Sequence, residues 1–198
     1  GLESMIMTIN NGTIHIVASD DGINTAGGVD GSGTGGPGGG GDTFGSGNYF
    51  LYINGGYISV DADGDGIDSN GSIEITDGVI LVNGPTSSGN GALDYAEEGS
   101  GTFKMTGGFL AAAGSSGMVA KPDNTSTQYS VSITISSQQA GSLFHLQNAA
   151  GDDILTFAPT KTYQSMVFSS PELATGSYTV YLGGSSTGTL TDSLYEGG

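Results

Sequence analysis

Short runs of alternating apolar and polar residues, broken by Asn and Gly, recur along the first half of the chain. Ile9-Asn10-Asn11-Gly12-Thr13-Ile14-His15-Ile16 is matched by Ile53-Asn54-Gly55-Gly56-Tyr57-Ile58-Ser59-Val60 and by Ile75-Thr76-Asp77-Gly78-Val79-Ile80-Leu81-Val82. A weaker copy is Met105-Thr106-Gly107-Gly108-Phe109-Leu110-Ala111-Ala112. Strict alternation identifies strands, because successive side chains of a strand point to opposite faces. The turn glycines Gly12, Gly56, Gly78 and Gly108 are offset by 44, 22 and 30 residues. A base period of 22 with insertions is a repeat signature, and repeats outrank local propensity.

Aligning the copies sorts the apolar residues into columns. Ile14, Ile58, Ile80 and Leu110 form one; Ile16, Val60, Val82 and Ala112 a second; Ile9, Ile53, Ile75 and Met105 a third. Met7, Leu51, Ile73 and Phe103 form a fourth, and Leu2, Ile23, Ile67 and Leu93 a fifth. The expected fold is all-β: a right-handed parallel β-helix, a solenoid of about 22 residues per coil. Coils are expected over 1–122, interrupted by a Gly-rich loop at 25–48. Residues 123–198 are expected to form a β-rich cap, with strands near Tyr129–Ile135, Ser142–Gln147, Ile154–Phe157, Gln164–Phe168 and Ser177–Leu182 and a hairpin turn at Ala150-Gly151-Asp152. Leu2 already falls into the fifth column, so the chain is expected to open inside a coil, with earlier coils and any export signal lying before it.

Composition changes this picture little. Glycine makes up 38 of 198 residues, which by itself would suggest disorder; the ordered aliphatic columns argue otherwise outside the Gly-rich loop. There is no cysteine, so neither disulfides nor thiolate metal sites arise. No apolar run is long enough for a membrane helix.

Charge changes it more. Fourteen Asp and six Glu face three Lys and no Arg, a net charge of -17. Acidity alone implies only a solvated surface, but the repeat orders the acids. Glu3, Asn24, Asp68 and Asp94 share one column, each directly after its apolar residue. Asp21, Asp65 and Asn90 share another, flanked by Asp20, Asp61 and Asp63. Matched positions on parallel rungs stack about 4.8 Å apart. Carboxylates at that spacing must share a proton or a cation. Calcium prefers oxygens at roughly 2.3–2.6 Å, half a rung spacing, and the available donors are all oxygen. Calcium is therefore the expected ion, against the alternative of plain Asp/Asn turn ladders. Asp61-Ala62-Asp63-Gly64-Asp65-Gly66 imitates the start of an EF-hand loop, but Ser72 stands where that loop needs Glu. Tyr57, Tyr95 and Phe109 are candidate glycan-stacking platforms, with edge packing as the alternative.

The runs MTINNGTIHIVASDDGIN, YFLYINGGYISVDADGDGIDSNGS and GPTSSGNGALDY, with the ending YTVYLGGSSTGTLTDSLYEGG, resemble the clostridial carbohydrate-binding β-helix proteins, relatives of the pectate-lyase superfold. The resemblance implies a calcium-binding extracellular or cell-surface protein that binds polygalacturonate, and also cellulose, without catalysis. It places calcium at the Gly-Ile-Asp/Asn columns. Two alternatives stand beside it. A calcium-dependent polysaccharide lyase needs a basic side chain, and this chain has no Arg and holds Lys104, Lys121 and Lys161 outside the acidic columns. A structural adhesin would use calcium for rigidity alone.

Overall fold

The computed structural model describes residues 1–26 and 48–197, and they form strands without any helix. The Gly-rich loop expected at 25–48 lies almost wholly outside the described residues. Along the chain come β1 (Leu2–Glu3), β2 (Ile6–Ile9), β3 (Thr13–Ala18), β4 (Ile23–Thr25), β5 (Phe50–Ala62), β6 (Ile67–Ser69) and β7 (Ser72–Asn83). They are followed by β8 (Phe103–Met105) and β9 (Phe109–Gly114). Further on are β10 (Ser130–Gln138), β11 (Phe144–Asn148), β12 (Asp153–Phe157), β13 (Tyr163–Ser169), β14 (Tyr178–Leu182), β15 (Thr189–Thr191) and β16 (Leu194–Glu196).

The repeat columns are real register positions. β5 pairs in parallel with β2 and β3 on one side and with β7 on the other, and β7 pairs in parallel with β8 and β9. Ile58 lies between Ile14 and Ile80, and Ile80 is followed by Leu110. Ile53 likewise separates Ile9 from Ile75. Ile23 and Ile67 pair on β4 and β6, and Leu93 bridges to Ile67. Ile58, Ile80 and Leu110 are fully buried with Ile23, Ile67 and Leu93 in one core. Each such side chain contributes about 1.5–3 kcal/mol on leaving water.

Of the four repeat glycines, Gly12 and Gly108 stand in turns between strands as expected, whereas Gly56 and Gly78 are bends inside β5 and β7. Asn54-Gly55-Gly56 lies within the unbroken thirteen-residue β5, where the register to β7 shifts. Gly12, Gly56, Gly78 and Gly108 all have φ between +84° and +110°, a region that L side chains avoid. A Cβ on Gly56 would also sit 2.8 Å from the Gly12 carbonyl oxygen. Backbone conformation, not chance, keeps this column glycine.

A parallel β-helix is nevertheless not the architecture. The strands form three separate sheets. β1-β4-β6 is parallel, β10-β13-β9-β7-β5-β2 is the spine of a mixed eight-stranded sheet, and β14-β11-β12-β16-β15 is wholly antiparallel. Parallel stacking ends at β9, where β13 joins antiparallel and β10 follows it, also antiparallel. The residues after 122 widen the large sheet and lay the antiparallel sheet over its outer face. Leu81, Ala111 and Ala113 bury there against Phe144, Leu146, Phe157 and Phe168. The physical reason is connection length: short turns such as Ala150-Gly151-Asp152 join only antiparallel neighbours. Each of the five runs expected in this part does form a strand.

Candidate functional site

The acidic columns sit where β3 leads into β4 and β5 leads into β6. In register, Glu3 pairs with Asn24 and Asn24 with Asp68. Asp94 continues the line, its N–H donating to Ile67 and its carbonyl accepting from Ser69. The neighbouring column is laced by rung-to-rung bonds. The Asp21 carboxylate accepts from the Asp65 N–H at 2.7 Å, and that of Asp65 accepts from the Gly91 N–H at 2.5 Å. The backbone carbonyl of Asn90, expected as a ligand, accepts from the Ser115 hydroxyl at 2.7 Å. Asp20 is exposed, and its carbonyl accepts from Gly64.

Three groups in these columns are poorly satisfied. Asn24 is buried, at 6% exposure. Its amide donates to the Asp21 carboxylate at 2.9 Å, while its Oδ1 has no hydrogen-bond partner. Burial pushes the Asp65 carboxyl up to about 7; the Gly91 bond opposes this, and the charges of Asp21, Asp94 and Asp20 add to it. Burial also raises the Asp94 carboxyl, against the pull of the Tyr95 N–H that bonds it at 2.8 Å. Among the described residues no three His, Cys, Asp or Glu side chains converge as a ready-made metal shell. The donor chemistry does suit a hard cation: every donor is oxygen, one is an orphaned buried carbonyl, and two carboxyls are strained by ionisation.

Asp61 and Asp63 belong to a different arrangement. Lys161 Nζ lies 2.8 Å from a carboxylate oxygen of each, and it donates to the Ala62 carbonyl at 2.6 Å. Thr160 adds a hydroxyl bond to Asp61 at 2.6 Å. Burial alone would lower the Lys161 pKa; the bonds to Asp61 and Asp63 outweigh it and raise the value. Lys161, expected outside the acidic columns, is thus the counter-ion of two of the residues that flank them. Sequence offered no signal for this, since the partners stand 98 to 100 residues apart.

The aromatic candidates divide as well. Tyr95 is buried in the inner core, edge-on to Phe103 with ring centroids 5.9 Å apart, and so is packed rather than presented. Tyr57 and Phe109 flank Val79 in one register column on the outer face of the large sheet. They line a cleft of about 510 Å³ together with Tyr195, Asp153, Glu172 and Glu196. The Tyr57 hydroxyl is buried without a hydrogen bond. Burial and the neighbouring Asp192 carboxylate, which acts on it without hydrogen-bond geometry, push its pKa up to about 12. Asp192 also lies 3.5 Å from His15 Nδ1 and has φ of 45°, followed by Ser193 at 78°. The Ser193 hydroxyl shares bonds with the Asn83 side chain at 3.1–3.3 Å, which holds this tight turn against the large sheet. None of the C-terminal cleft residues was signalled by the repeat, because they lie outside it.

No family model matches the chain, and neither the curated proteins nor the solved structures show a significant similarity to it.

Proposed function

We propose that the chain is a non-catalytic, calcium-dependent binding protein for acidic polysaccharide of the polygalacturonate class, with cellulose as a further ligand, acting outside a bacterial cell. The observation that carries the calcium part of this reading is the buried Asn24 Oδ1 without a partner, in register with Asp68, in columns where the carboxyls of Asp65 and Asp94 resist ionisation. Calcium would be held by Asn24, Asp65, Asp68 and Asp94, and when bound it supplies the positive charge that a chain at -17 otherwise lacks. In this reading these residues orient and hold the ion. A lyase reading is disfavoured by Lys161, which its two carboxylates keep protonated and therefore unfit to abstract a proton.

One observation favours a second, purely structural reading. Asp21 and Asp65 spend carboxylate oxygens on backbone N–H groups of the adjoining turn, as a ladder without metal would. Thermal melts in calcium and in EDTA, each followed by titration with polygalacturonate, separate the two. A calcium-raised Tm with glycan binding only in calcium is the expected result. Stabilisation without glycan binding supports the structural reading. Asp65→Ala and Asp68→Ala should each weaken calcium about tenfold or more; unchanged calcium titrations for both would remove these columns as the metal site.

A further inference from the structure

The cleft over the outer face of the large sheet has a chemistry of its own. Its floor is the register column of Tyr57, Val79 and Phe109, and Tyr195 of β16 supplies a third ring. Every charged residue lining it is an acid: Asp153, Glu172 and Glu196. Asp153 is already engaged, accepting from Gln147 at 2.8 Å and lying 3.2 Å from His145 Nε2. Glu172 and Glu196 are exposed, and neither forms an ion pair among the described residues.

The geometry points to a binding site for an organic ammonium ligand, its cation held by Glu172 and Glu196 and its apolar body against the rings of Tyr57, Phe109 and Tyr195. The volume, about 510 Å³, falls in the range of small-molecule sites, roughly 300–1,000 Å³. Aromatic faces attract cations electrostatically, and carboxylates above apolar walls focus a negative field into the cleft. The same field repels a polyuronate. A neutral ligand gains the rings but nothing from the charges. The cleft is therefore a second site, opposite in preference to the acidic-polysaccharide site, and it needs no metal.

The test is a titration in EDTA followed by aromatic ¹H–¹³C NMR, using benzyltrimethylammonium, benzyl alcohol and phenylacetate as cationic, neutral and anionic probes. The ammonium should shift the rings of Tyr57, Phe109 and Tyr195 and bind about tenfold more tightly than the alcohol. Its affinity should fall with added salt, and phenylacetate should leave the rings unmoved. The double variant Glu172→Gln/Glu196→Gln, altered only at exposed positions, should bring the ammonium down to the affinity of the alcohol. Equal binding of the three probes would overturn the assignment. So would shifts confined to the exposed rings of Tyr129 and Tyr181, or a double variant that binds like the parent. Calcium is excluded throughout, so failure here leaves the polysaccharide reading untouched.

Discussion

Asp61 and Asp63 stand two to four residues before Asp65, yet the two groups of acid have opposite electrostatic fates. The first pair is compensated: Lys161 reaches both carboxylates at 2.8 Å, and Thr160 completes the hydrogen bonding of Asp61. Asp65 faces Asp21, Asp20 and Asp94 with only a backbone N–H for support, and its carboxyl is pushed up to about 7. The difference does not lie in the loop, which is one run of Asp, Gly and Ala. It lies in what the folded chain brings alongside. Stacked acids are a structural asset where a cation joins them and a liability where none does.

Changing the compensation tests the contrast. The largest effect is expected from Asn24→Asp in EDTA. It replaces the bond from Asn24 to Asp21 with two opposed carboxylates at a buried position, and should cost about 3 kcal/mol in urea denaturation. Calcium should restore most of that loss; a variant equally unstable in both conditions would mean that no cation reaches the column.

Lys161→Met comes next. It strips the compensated pair of its counter-ion and the Ala62 carbonyl of its donor, at an expected cost of about 2 kcal/mol, discounted because Asp63 is 69% exposed. A loss under about 0.5 kcal/mol would rank this pair with ordinary surface bridges.

Asp65→Asn should have the smallest effect and the most informative pH dependence. The folded pKa of Asp65 lies above its ordinary value, so the native state binds the extra proton. That contribution is complete below about pH 4 and is lost as pH rises through about 7. In EDTA the parent should therefore lose stability between about pH 4 and 7 relative to Asp65→Asn, by on the order of 1 kcal/mol after solvent screening. Parallel stability curves for the two proteins across this range would show that Asp65 ionises without strain.

Parts of this arrangement were legible beforehand. The aliphatic columns, the Asn24–Asp68 match and the glycine column could be aligned by eye, because parallel rungs repeat their side chains at one offset and keep one register. The acidic columns were legible as positions but not as sites. Alignment says which residues stack; it does not say that Asp21 and Asp65 accept from backbone N–H groups or that Asp61 binds Lys161. Tyr95 illustrates the same gap. It is an aromatic beside an Asp column, and only its edge-on packing against Phe103 removes it from the surface.

What the sequence determined by itself is the strand content, the parallel register from β2 to β9 and the need for glycine at positive φ, all set by local alternation and a repeated offset. What only the tertiary structure decided is how the repeat ends. A period-two pattern fixes which residues of β13 share a face, but not whether β13 runs with or against β9, nor which sheet covers Leu81 and Ala111. The same long-range choices set Lys161 against Asp61 and Asp63 and placed Tyr195, Glu172 and Glu196 around the Tyr57–Phe109 column. Those contacts join residues tens to about 140 positions apart, and no local rule of sequence reaches that far.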